Sequence, residues 1–429
     1  MRSGGQTIAE VIAAEGGRVT FAHFMQIALT HPTLGYYSRV GRLLRHGGDF
    51  STAPALSPFF GKTVARLVTE LVDASMAAAP QTDPRTAAPA PPDKSCVVEL
   101  GGGEGHLAQA VLHHWADERP EWRDKVAYRT VEVGARLREI QARAVSVPVA
   151  AGWDVGWGAD LQEVCRHARP VVMVGNEFLD TVPVHLVNVQ GSALREAYVV
   201  AAEPPGLVEM WGDLSDAAAG EIELLFGTLD PSSLRAFTDD SIIEVFPDMG
   251  SLVRSAARCM PSGSLVSVDY GEWFAGRLPA GRRWGLEGRA RRRRSVRGYF
   301  KHQMITDPLA RPGRQDLTAD VDFSAVDLHG GRNGFETVLF TTLAAFLRGG
   351  GAERELADLR GHMATGSGDA LESDRQATVL TNLLDERDLG GAFKVMVQVR
   401  DGSVVDHVMV DNGAEGDNRG EPSQGGPGA

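Results

Sequence analysis

Cysteine is scarce in this 429-residue chain: there are three, Cys96, Cys165 and Cys259, far apart and without CxxC or Cys/His spacing. That excludes a disulfide framework and a cysteine zinc site, and the three read as buried thiols in a reducing compartment. Long hydrophobic runs are also missing. None approaches the roughly 18 residues of a membrane span, and no basic segment followed by an apolar one stands at the N-terminus. A cytoplasmic protein with no membrane partner is expected. Positive charge is the third shortage: 43 bases against 56 acids leave a net charge of -13. Nucleic acid is therefore disfavoured as the main partner. There is no internal repeat.

What is present is enough apolar material, 43% of residues, to bury a large core in two or three domains. Punctuation divides the chain. Residues 1–75 read as an N-terminal helical block, and "MAAAPQTDPRTAAPAPPDKS" at 76–95 as an Ala/Pro-rich linker. Residues 96–181 and 246–411 read as two parts of one α/β domain, 182–245 as an insertion within it, and 412–429 as a disordered tail poor in apolar residues. The Arg-rich stretch 277–298 should be a solvated excursion.

Short apolar β-branched runs at Val97–Leu100, Ala127–Val133, Val171–Val174 and Leu265–Val268 have the look of parallel strands buried on both faces. Helical spacing follows the first two, in "HLAQAVLHHW" and "ARLREIQARA", giving a βαβα order and a doubly wound sheet. "GFETVLFTTLAAFLRGGG" and "GAFKVMVQVR" add two strands, for about seven in all.

The first of these strands runs into "VELGGGEGHLA". A strand, then Gly101, Gly103 and Gly105, then a helix brings backbone against a ligand and aims the helix N-terminus at it. A tight βα turn is the simpler alternative. Glu132 ends the second strand, where an acid can take both hydroxyls of a ribose, or merely face solvent. Glu99 is odder, because a carboxylate inside a buried strand needs a partner, and an amino-bearing ligand would supply one. The dinucleotide pattern G-x-G-x-x-G would put its third glycine at His106. G-x-G-x-G with a preceding acid is instead the spacing of Rossmann-like S-adenosylmethionine-dependent methyltransferases.

From about Ile8 to Arg400 the chain resembles the MidA-like methyltransferases, a family that includes the mitochondrial complex I assembly factor that methylates an arginine. The resemblance rests on "HPTLGYYS", "GGDFSTAPALSPFFGKTVA", "VELGGGEGHLA", "GNEFLDTVPVHL", "VDYG" and "RGYFKH" with "DPLARPGRQDLTADVDFSAV", in that order. The 76–95 linker and the Arg-rich stretch depart from it. It implies a seven-stranded Rossmann-like class I methyltransferase sheet, with the insertion between strands four and five, and S-adenosyl-L-methionine as cofactor.

The remaining candidates follow from that layout. "GGDFSTAP" leads into a helix with Ser57 as N-cap and Pro58 at its first position. The resemblance makes Gly48, Asp49, Phe50, Thr52, Ala53 and Pro54 a lid over the cofactor. Trp153 and Asp154 fall where adenine would sit, although a core Trp reads equally well. "GNEFLD" follows the fourth strand, at the crevice end of an open α/β sheet. Asn176 is assigned to the cofactor, and Glu177 and Asp180 to the acceptor beside the methyl. Asp269 and Tyr270 should line the same crevice, and His302 is a base, a substrate contact or structural. Asp316, Thr318, Asp320 and Asp322 could form an amphipathic strand with a polar rim. The expected reaction is methylation of a protein nitrogen, with arginine favoured by the resemblance. A cofactor-binding assembly factor with little turnover and a small-molecule methyltransferase are the rivals. A protein partner, no metal and a possible homodimer complete the expectation.

Overall fold

The computed structural model describes residues 6–43, 57–78, 94–166, 168–203, 206–227, 241–274, 294–365 and 369–400. Residues 48–54, the 79–93 linker segment and most of the Arg-rich stretch lie outside them.

In chain order the strands are β1 (Arg18–Thr20), β2 (Ser95–Leu100), β3 (Val126–Val131), β4 (Asp154–Gly158), β5 (Arg169–Asn176), β6 (His185–Gln190), β7 (Ala193–Ala202) and β8 (Gly206–Gly212). They continue with β9 (Ile242–Val245), β10 (Gly263–Glu272), β11 (Arg297–Phe300), β12 (Gln303–Ile305), β13 (Asp316–Thr318), β14 (Val321–Asp322), β15 (Glu336–Thr342) and β16 (Phe393–Arg400). The main sheet has the order β15-β16-β10-β5-β2-β3-β4. Strand β16 is antiparallel to both neighbours, and the other pairings on this path are parallel. Six strands thus run one way with a reversed seventh wedged between two of them, the Rossmann-like layout expected. All the carboxyl ends of β2, β3, β4, β5 and β10 emerge at one edge, where crossover connections leave a crevice.

Burial on both faces explains the continuous apolar runs. On one face, Val97, Tyr128, Val174 and Val266 pack against the helices Pro58–Ala78 and His106–Glu118. Trp115 lies at the centre of that layer, fully buried, with ring centroids of Trp122, Tyr128 and Trp153 within 5.8–6.0 Å. Its Nε1 donates to Thr69 Oγ1 at 3.0 Å, tying the two helices. On the other face, Val98, Leu100, Ala127 and Met173 meet the helices Leu161–Cys165 and Pro247–Cys259. Ser57 does cap its helix, accepting from Phe60 N at 3.3 Å. That helix, assigned from sequence to the N-terminal block, belongs to the main core because its Phe60, Val64, Leu67, Val68 and Leu71 are apolar on one side. Cys96 is buried as expected, whereas Cys165 and Cys259 are only half-buried.

Between β5 and β10 the chain builds a second sheet, β1-β7-β6-β9 with β8 on β7. Strand β1 reaches it from the N-terminus, and one apolar cluster joins Phe21, Phe24 and Leu29 to Leu186, Val199 and Phe246. The N-terminal helices and this sheet are therefore one body, set over the crevice edge by the helix Tyr36–Leu43. Arg294, the last residue of "RARRRR", pairs with Glu209 of β8 at 2.5 and 2.8 Å.

Replacing Trp115 by Ala should cost about 3–5 kcal/mol, because a large fully buried ring and the Thr69 tie are both lost. Denaturant unfolding of the two proteins checks this.

Candidate active site

The glycine loop after β2 answers what excludes side chains there. Gly101, Gly103 and Gly105 have φ of +68°, +50° and +90°, a region open to glycine. A Cβ on Gly101 would lie 2.8 Å from Phe178 Cδ2, on Gly102 2.6 Å from Thr130 Cγ2, and on Gly105 3.2 Å from Gln141 Cα. Those three are excluded by the protein itself. A Cβ on Gly103 would meet nothing within 4 Å, so at that residue the bare backbone faces open space. The next helix, His106–Glu118, begins directly behind it.

Glu132 follows β3 and is buried at this edge. Its Oε1 accepts from Gly134 N at 2.8 Å, and its Oε2 from Gln141 Nε2 at 3.2 Å. Burial pushes its carboxyl up, while those donors and Arg138 pull it back. Gln141, on the helix Ala135–Ala144, also donates to Gly103 O at 2.9 Å and accepts from Trp157 Nε1 at 2.9 Å. Sequence reading missed it. Its signal was a position one turn beyond Leu137, on the buried face of an otherwise charged helix.

Glu99 has a partner inside the fold: Tyr128 Oη donates to its Oε2 at 3.0 Å. Desolvation lifts the Glu99 carboxyl from its ordinary 4.5 to about 7, against the Tyr128 hydrogen bond, which lowers it. The buried acid in β2 is thus explained without any ligand.

The turn after β5 holds the densest acidic group. Glu177 adopts φ +51°, unusual for a residue with a side chain, and its N–H donates to Val268 O at 2.8 Å. Asp269, fully buried at the end of β10, accepts from Phe178 N, Leu179 N and Asp180 N at 3.1, 2.9 and 3.2 Å. Asp180 Oδ2 accepts from Tyr270 Oη at 2.6 Å. Burial pushes Asp180 up to about 6. Arg297 lies 4.8 Å from the Tyr270 ring and pairs with Asp320 at 2.8 Å. Tyr37 donates to Asp316 Oδ1 at 3.0 Å, close enough for Asp180 to act on its phenol. Asn176 Nδ2 donates to Glu177 Oε1 at 3.2 Å, and its buried Oδ1 has no hydrogen-bond partner among the described residues.

Three expected residues lie elsewhere. Trp153 and Asp154 stand at the amino end of β4, since Asp154 is level with Ala127, the second residue of β3. The crevice is at the other end of the sheet. Trp153 is a core ring against Trp115, and Asp154 pairs with Arg129 at 2.8 Å and Lys94 at 3.3 Å. The chain at the crevice end of β4 is Gly158, then Ala159 and Asp160, whose side chain caps the next helix. His302 occupies an exposed two-residue turn with Lys301 between β11 and β12, φ +59° and +52°. That geometry belongs to a tight hairpin, and His302 is brought to none of the groups above. Thr318 and Asp322 are buried rather than forming a polar rim, and Asp322 caps the helix Phe323–Arg332. Gly48, Asp49, Phe50, Thr52, Ala53 and Pro54 are outside the described residues.

Glu99 gives a stability test. Folded, it keeps its proton to about pH 7, whereas the unfolded chain releases it near 4.5. Stability is then fully present below about 4.5 and falls as pH rises to about 7. Glu99→Gln should melt above wild type at pH 8, by about 3 kcal/mol at most, with the difference closing at pH 4.5. An equal difference at both pH values would exclude the buried-acid explanation.

A family model described as "Putative S-adenosyl-L-methionine-dependent methyltransferase" matches residues 84–341. The mouse protein named protein arginine methyltransferase NDUFAF7, mitochondrial, is 26% identical over 332 residues, covering 72% of this chain and 65% of that protein. The Danio rerio counterpart is 27% identical, covering 72% and 67%. The chain therefore spans about two thirds of the length of these curated relatives. A Burkholderia thailandensis protein whose crystal structure holds S-adenosyl-homocysteine superposes with a TM-score of 0.66 at 25% identity, covering 92% of each chain. A native crystal structure from the same organism gives 0.66 at 26%, covering 92% and 91%. The expected cytoplasmic location is withdrawn, because the curated relatives are named as mitochondrial proteins. The residues present fit the cofactor: open space in front of Gly103, a buried acid at the end of β3, and the unpartnered Asn176 Oδ1 all face the same edge. By its family match and by this edge, the chain belongs to the S-adenosyl-L-methionine-dependent methyltransferases.

Proposed function

We propose that the protein methylates an arginine side chain of a partner protein, using the crevice between the glycine loop and the turn after β5. The observation that carries this reading is the acidic turn itself, with Glu177 and Asp180 on four residues of chain and Asp269 on the strand beside it. The relatives named as protein arginine methyltransferases support it.

On this reading Glu132 takes the ribose hydroxyls, Gly103 presents bare backbone to the ligand, and Asn176 Oδ1 accepts from it. The bound cofactor supplies an electrophilic methyl group on sulfur. The rest of the chemistry falls to the chain. A guanidinium, with pKa above about 12, is a poor nucleophile until it is oriented and a carboxylate takes its proton. Glu177 and Asp180 hold it. Tyr270 fixes one Asp180 oxygen, leaving the other to meet the acceptor N–H and receive its proton as the N–C bond forms. In-line placement then does most of the work.

Two outcomes are expected. Incubating cell extract with tritiated-methyl cofactor, with and without the protein, should label a protein band whose hydrolysate contains N-methylarginine; label confined to small molecules or to another residue would reject the proposal. Transfer should also rise with pH through about 6, because protonated Asp180 cannot hold a cation. Asp180→Asn should keep S-adenosylhomocysteine affinity and lose about 10²–10⁴-fold in rate, and with it the acidic limb of the pH profile.

A further inference from the structure

We infer that Gln141 is a positioning residue for the cofactor: its side-chain amide locks the ribose-binding carboxylate of Glu132 to the glycine loop. The inference rests on the reading that Glu132 takes the ribose. Three elements meet on one amide: the glycine loop, the end of β3 and β4. Nε2 donates to Gly103 O at 2.9 Å and to Glu132 Oε2 at 3.2 Å, and Oε1 accepts from Trp157 Nε1 at 2.9 Å. The residue is 1% exposed, so water does not compete for these bonds. Trp157 settles the amide orientation, because an indole N–H only donates and so must face the oxygen. That leaves both amide hydrogens for the loop carbonyl and the carboxylate.

The neighbouring glycines are shaped to the same side chain. A Cβ on Gly102 would lie 3.0 Å from Gln141 Nε2, and one on Gly105 3.5 Å from its Cγ. The amide is thus packed as well as bonded, and it sets which Glu132 lone pairs remain for a ligand. Gly134 N holds the other oxygen at 2.8 Å. A carboxylate so pinned can accept hydroxyls only from the direction left open, which makes Gln141 act on ribose recognition through Glu132.

The test is calorimetry with S-adenosylhomocysteine and its 2′-deoxyribose analogue on wild type, Gln141→Ala, Glu132→Gln and the double variant. Gln141→Ala should bind S-adenosylhomocysteine about ten- to hundredfold more weakly and lose most of the wild-type preference over the deoxy analogue. The double variant should be little worse than either single one. Gln141→Glu, which repels Glu132, and Gln141→Asn, one methylene too short to reach both acceptors, should each fail to restore the preference. If Glu132→Gln keeps the preference, the ribose reading fails. If Glu132→Gln loses it and Gln141→Ala keeps it, or weakens both ligands equally, Gln141 is only a packing residue.

Discussion

The buried carboxylate of Asp269 organises the edge on which the chemistry depends. Backbone N–H groups of Phe178, Leu179 and Asp180 all point at one of its oxygens, and Tyr270 N donates to the other at 3.0 Å. Consecutive N–H groups aimed at one acceptor form a concave turn, and a turn of that kind forces the residue before it out of strand geometry. Glu177 accordingly takes its positive φ, with its own N–H still paired to Val268 O. Burial and then the charges of Asp180 and Glu177 push Asp269 up, while the N–H donors pull against them. Acidic groups this close are kept together by backbone donors, by Tyr270 and by the nearby charge of Arg297, which favours ionised Asp180.

From this turn the two halves of the crevice are joined. Phe178, next to Glu177, lies against Gly101 on one side and Gly175 on the other. The glycine at the start of the loop exists to admit a protein ring, and only Gly103 is left for a ligand. On the far side Gln141 ties the loop to Glu132 and to β4 through Trp157. On the proposed reading a cofactor half and an acceptor half share the glycine loop and are joined by the hydrogen bond from Asn176 Nδ2 to Glu177 Oε1. Above both, Tyr37 and Asp316 bring the N-terminal helices and the β13 segment to the neighbourhood of Asp180.

Sequence reading went furthest where physics is local. Continuous β-branched runs marked four strands of the main sheet, and the G-x-G-x-G spacing marked the loop, because burial on both faces and close backbone approach each leave a signature within a few residues. Strand β4, "DVGWG", carries two glycines and no long apolar run, so it was passed over, and Trp153 and Asp154 were placed after a strand that in fact begins there. The Glu99 partner, Tyr128, lies 29 residues away on the next strand, a pairing that only register determines. Asp269 was placed at the crevice, but its use as a backbone clamp could not be read from "VDYG", since its donors come from residues 178–180. His302 sits in a turn whose left-handed backbone, with Lys301 and His302 in place of the usual Gly or Asn, gives little local warning.

The division between cofactor and acceptor halves is tested most directly by hydrogen exchange across residues 177–182 in Asp269→Asn, with S-adenosylhomocysteine affinity measured on the same protein. The amides of Phe178, Leu179 and Asp180 should exchange about tenfold faster or more, while affinity stays near the wild-type value and transfer to protein is lost. Unchanged exchange together with lost cofactor affinity would contradict the separation, placing Asp269 in the cofactor half instead.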